Sequence, residues 1–108
     1  MTTEIKLDGL VQQWASQQRS AISGKPATCG HHLIGRRYKL LRHDLNNILP
    51  VTHEEHMEIH KGNISDKRFI TEYLINQSNI DYKSYLLSNG FLEKDFWAMC
   101  EDRIRREL

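Results

Sequence analysis

Leu7, Leu10, Val11 and Trp14 fall at i, i+3, i+4 and i+7, so the first stretch of this chain reads as an amphipathic helix over roughly Ile5–Arg19. Ser20–Thr28 then brings Ser, Gly and Pro together and predicts a loop. Thr28–Leu33 and Ile48–Val51 are short apolar pieces, weak as strands when taken alone. Thr52 stands three residues before Glu55, the spacing of a capping box, and predicts a helix over His53–Lys61 that Gly62 stops. Ser65 precedes Phe69, Ile70, Tyr73 and Leu74, which predict a further helix. Tyr82, Tyr85 and Leu86 predict another, ended by Asn89-Gly90, and Phe96, Met99, Cys100, Ile104 and Leu108 a last one. At helical spacing these aromatic residues are expected to be core.

Length and composition add limits. A chain of 108 residues with 39% apolar content suits a single domain, 1–108, with one modest core. It has no 18-residue apolar run, and Met1–Gly9 has neither a basic nor an apolar leader region. A cytoplasmic protein without membrane insertion is therefore expected. Cys29 and Cys100 form no CxxC pair and are expected to be free thiols.

The net charge of +1 conceals an asymmetry. From Arg19 to His43 there are six basic residues (Arg19, Lys25, Arg36, Arg37, Lys39 and Arg42), three histidines and no acid. The remaining segments hold all fourteen acids against nine bases. A basic stretch of this kind is what a polyphosphate-binding surface needs.

The chemistry-bearing residues crowd into the same region. Cys29-Gly-His-His-Leu-Ile-Gly-Arg-Arg37 is followed by Asp44-Leu-Asn-Asn-Ile-Leu-Pro50 and then by His53-Glu-Glu-His-Met-Glu-Ile-His60. On a helix, His56 and His60 are four apart and share one face, which suits chelation of one cation. His53 stands three before His56, so His53/His56 is a competing pair that spacing alone leaves open.

In this order the histidine pair, the asparagine and the histidine-rich helix resemble the core of the HNH endonucleases, the ββα-metal or His-Me finger family. The likeness covers residues 28–62, about a third of the chain, and is closest to small HNH proteins of phages and prophages. It implies an α+β, mostly helical fold: a ββα-metal finger, made of a short β-ribbon plus a helix, packed against flanking N- and C-terminal helices. It further implies that His31 holds metal, that His32 is the general base, and that Asn47 bonds backbone and holds the base's ring. Asn46 is the fallback if the register slips by one. His56 and His60 complete the implied ligand set. Within the basic stretch, Arg36, Arg37, Lys39 and Arg42 are the expected DNA-binding residues, with Asp44 an alternative, structural partner for Arg36 or Arg37.

Many HNH proteins also carry a structural zinc on two CxxC pairs. Thr52 and Glu55 occupy the helix positions of one pair here, and no upstream pair exists. One catalytic divalent ion and no structural one is therefore expected, with packing by the flanking helices replacing the second metal. Three imidazoles favour Zn²⁺, Ni²⁺ or Mn²⁺ over Mg²⁺. The implied activity is metal-dependent hydrolysis of DNA phosphodiesters. The alternatives are a noncatalytic metal finger that binds DNA or protein, and an enzyme acting on RNA or another phosphate ester. A homodimer, or a phage replication or recombination partner, stays open.

Overall fold

The structure, a computed structural model, describes residues 3–36, 41–76 and 93–108. The described residues form an α+β fold, mostly helical, in the order α1 (Thr3–Ser16), β1 (Cys29–His32), β2 (Ile48–Val51), α2 (His53–His60), α3 (Lys67–Asn76) and α4 (Glu93–Glu107). A single turn of 3₁₀ helix, Leu45–Asn47, leads into β2. The expected helix around Tyr82–Leu86 lies outside the described residues.

The two strands pair antiparallel, with Cys29 opposite Val51, Gly30 opposite Pro50, His31 opposite Leu49 and His32 opposite Ile48. Side chains of a strand alternate between faces, and directly paired residues share one. Ile48 packs on one side of the ribbon against Leu7, Val11 and Ala15 of α1 and Phe96, Trp97, Cys100 and Ile104 of α4. Leu49 and Val51 pack on the other side with Ile59 of α2, flanked by Ile22, Leu33, Ile64 and Phe69. The ribbon is thus a partition between two apolar clusters, and its pleat sends His31 and His32 to opposite sides.

Gly30 allows α1 to lie close to the ribbon. A Cβ there would stand 2.4 Å from Cγ2 of Ile48 and 3.1 Å from Cβ of Ala15. Gln12 of α1 adds a direct tie, its Oε1 accepting from the Gly30 N–H at 2.8 Å.

Several boundaries differ from expectation for identifiable reasons. Helix α1 begins at Thr3 and ends at Ser16, three residues short of Arg19. Past Ser16 the backbone is used otherwise: the Gln18 carbonyl accepts from Ala27, and Arg19 bridges Pro26. Leu74 is exposed, while Tyr73 beside it is buried, as expected of the aromatic residues, and donates its hydroxyl to Oδ2 of Asp44 at 2.9 Å. Leu108 falls outside α4 and is exposed.

The capping box forms as its spacing requires, with Thr52 Oγ1 accepting from the Glu55 N–H and Glu55 Oε1 accepting from the Thr52 N–H. The buried Ser20 hydroxyl also donates to Glu55 Oε1, at 2.5 Å. A hydrogen-bonded staple therefore ties the Ser20–Thr28 loop to the start of α2. Glu55 Oε1 thus receives two donors: burial works against its charge, but Ser20 and the Thr52 backbone outweigh that and hold it down to about 2. Both cysteines are free, and burial pushes the Cys100 thiol up to about 11. Among the described residues, no helix is long and apolar enough to cross a membrane.

Candidate metal centre

Helix α2 is only two turns long, so its histidines differ by their angle around one short cylinder. His56 and His60 are one turn apart on the face that meets β1. His53, on the first turn, is exposed and outside the group. His31 projects from β1 on the α2 side. Its ring lies edge-on to both, with centroids 5.3 Å from His56 and 5.5 Å from His60.

One nitrogen from each of His31, His56 and His60 falls within 4.8 Å of the others, so the three could hold a metal ion. The donor set fits such an ion. Tetrahedral coordination at about 2.0–2.1 Å places neighbouring nitrogens about 3.3 Å apart, and Nε2 of His56 lies 3.0 Å from Nε2 of His60. Burial, followed by the neighbouring imidazoles of His31, His60, His53 and His32, holds His56 below its ordinary pKa. A ring kept neutral offers its lone pair to a cation.

His32 stands behind the partition. Its Nε2 lies 2.9 Å from the backbone carbonyl of Arg42. A carbonyl can only accept, so in the neutral ring Nε2 carries the proton and Nδ1 carries the free lone pair. Burial lowers the pKa of His32, and the Arg36 charge acts in the same direction against the pull of the Arg42 carbonyl and of Asp8. Burial thus favours the neutral ring, and its tautomer is set by the carbonyl.

Asn47 is fully buried at the end of the 3₁₀ turn. Its Oδ1 accepts from the Ile34 N–H at 2.8 Å, and its Nδ2 donates to the carbonyls of Ile34 and Leu41 at 3.0 and 3.1 Å. These bonds close the neck of the loop that runs from the histidine pair to Arg42, whose carbonyl receives the His32 ring. Asn46, the neighbour, is exposed.

The basic stretch is placed differently from expectation. The Arg42 side chain is only 14% exposed. Its Nε donates to Asp8 Oδ1 at 3.0 Å, its Nη2 to Asp8 Oδ2, and its Nη1 to Glu4 Oε2 at 3.4 Å. His43, fully buried against Trp97, bonds Asp8 Oδ1 through Nε2 at 2.9 Å. Arg42 is therefore paired within the fold, because α1 brings two acids against a segment that has none. Arg36 also reaches Asp8, at 3.1 Å, rather than Asp44, and is 60% exposed. The Asp44 side chain caps the 3₁₀ turn and receives the Tyr73 hydroxyl. Arg37 and Lys39 lie outside the described residues.

Two residues at the site carried no signal in the sequence. Asp8 organises Arg36, Arg42 and His43 from 28 to 35 residues away. Asp66, just before α3, places Oδ2 at 2.8 Å from Nε2 of His31. Neither stands at a spacing that marks it, since each partner is reached only through folding. Compared with protein-family models, with curated proteins and with solved structures, the chain finds no match.

Proposed function

We propose that this protein is a metal-dependent DNA endonuclease of the ββα-metal type, with a cation held by His31, His56 and His60 and with His32 as general base. The observation that carries this reading is the pleat of β1. It turns one histidine of an adjacent pair into a three-imidazole cluster and turns the other onto a carbonyl that fixes its tautomer. A site that only bound metal would need the first residue and not the second.

The chain's own groups account for proton transfer and positioning. His32 takes a proton from water at Nδ1, while its Nε2–H stays bonded to the Arg42 carbonyl, so the new charge forms in a ring already held. Asn47 keeps the neck of that loop closed and acts on the base through backbone. Bound at the three imidazoles, a divalent ion would offset charge on the phosphoryl oxygens and on the departing 3′ oxygen. Imidazole donors favour Zn²⁺, Ni²⁺ or Mn²⁺ there. The basic residues left to meet DNA are Arg36, Arg37 and Lys39, and not Arg42.

The test is incubation of supercoiled plasmid with purified protein and a panel of divalent metals, with His32→Ala beside it. Cleavage is expected with the wild type, and a loss of about 10²–10⁴-fold with the variant while metal still binds. Equal rates in the two proteins would remove His32 from the chemistry, and no cleavage with any metal would favour the noncatalytic metal finger.

A further inference from the structure

We propose that Asp66 is a positioning residue of the metal centre: its carboxylate takes the Nε2–H of His31 and so presents Nδ1 of that ring to the cation. The inference rests on the metal-centre reading of His31, His56 and His60. Asp66 Oδ2 stands 2.8 Å from Nε2 of His31, with the two side chains 23% and 9% exposed. A carboxylate at that distance makes Nε2 the protonated nitrogen, which leaves the lone pair on Nδ1. The nitrogens that converge within 4.8 Å belong to the three histidines, and Asp66 is not among that group.

The placement is built into the chain. Gly62, at φ +82°, turns the backbone out of α2, and the N–H groups of Asn63 and Ile64 both return to the Glu58 carbonyl. Ile64 then packs into the cluster of Leu49, Val51 and Ile59, which sets the next residues beside β1. Asp66 precedes the first residue of α3, where an acidic side chain commonly caps its own helix. Among the described residues its carboxylate instead bonds His31, 35 positions away. Ser65 Oγ accepts from the Lys67 N–H at that helix start, at 3.3 Å. The carboxylate is therefore spent on the ligand and not on the helix.

A carboxylate behind a metal-bound imidazole fixes the ring's orientation and raises its basicity, and removing one weakens metal affinity by about 10–100-fold. The test uses the full chain as wild type, Asp66→Ala and Asp66→Asn, titrated with Zn²⁺ against a competing chelator and with Co²⁺ by absorption. Asp66→Ala is expected to bind about 10–100-fold more weakly with its cobalt bands in place. Asp66→Asn, which keeps an acceptor oxygen, is expected to lose less. Long-range ¹H–¹⁵N spectra of the zinc-loaded wild type should show His31 protonated at Nε2 and metal-bound at Nδ1. That spectrum keeps the proposal testable if either variant fails to fold.

Unchanged affinity in Asp66→Ala, equal losses in the two variants, or metal at Nε2 would each overturn it. So would cobalt bands that shift as though an oxygen ligand had been removed. A wild type that binds neither ion would instead overturn the metal-centre reading, and this inference with it.

Discussion

Replacing Asn47 by Ala tests how the loop behind the histidine pair is held. The side chain is fully buried and serves three backbone groups: the Ile34 N–H, the Ile34 carbonyl and the Leu41 carbonyl. Truncation removes this partner from both Ile34 groups and leaves the Leu41 carbonyl only the Asp44 N–H, at 3.2 Å. An unsatisfied buried polar group costs about 1–3 kcal/mol. Ile34 and Leu41 are only half-buried, so water can reach part of what is exposed. The expected loss is therefore about 3–4 kcal/mol, well below the sum of the upper limits. For a domain of this size that lowers Tm by about 12–25 °C without abolishing folding at 25 °C.

Asn47→Asp is a sharper probe because it is isosteric. It keeps the acceptor for Ile34 but turns both donors into charge facing two carbonyls, so it should cost at least as much. Asn46→Ala, at the exposed neighbouring position, should stay within about 0.5 kcal/mol. Urea unfolding of the four proteins at constant m value gives the comparison. An Asn47→Ala variant within 1 kcal/mol of wild type, or an Asn46→Ala variant that loses as much, would refute the assignment of the clamp. In a nuclease, Asn47→Ala should also slow cleavage well below its melting range, because the loop it closes carries the carbonyl that orients His32.

The Glu55 carboxylate, held down to about 2 from its ordinary 4.5, stabilises the fold above the ordinary value, and that stability is lost as pH falls towards 2. Solvent screening keeps the contribution to about 1–1.5 kcal/mol. The stability gap between wild type and Glu55→Gln should therefore shrink between pH 5 and about 2, and a gap independent of pH would exclude the linkage. Arg42→Ala should cost about 1.5–3 kcal/mol through its bonds to Asp8 and Glu4, while leaving the salt dependence of any DNA binding unchanged. A drop of about 1 in the slope of log K against log salt would return Arg42 to the phosphate contacts. In a calorimetric metal titration, His31→Ala, His56→Ala and His60→Ala should each weaken binding strongly, and His53→Ala little. Loss confined to His53→Ala would mean that α2 presents a different face.

What the sequence determined by itself was short in range. The Thr52/Glu55 box, the turn at Gly62 and the shared face of His56 and His60 follow from sterics and hydrogen bonds within a turn or two. Their spacings are therefore their signatures. The ribbon was weaker: Thr28–Leu33 and Ile48–Val51 each lack a pattern of their own, and a resemblance was needed to pair them.

Tertiary structure alone decided the rest. Spacing left His53 and His60 competing for His56, and the side of α2 that meets β1 settled which stands beside His31. The stretch from Arg19 to His43 looks uniformly basic because a charge count along the chain sees only neighbours. Folding sets Asp8 against Arg42 across 34 residues, Ser20 against Glu55 across 35, and His31 against Asp66 across 35. Such pairs depend on where the apolar clusters seat α1, α2 and the turn before α3, and burial of those clusters is non-directional, so no local spacing records it.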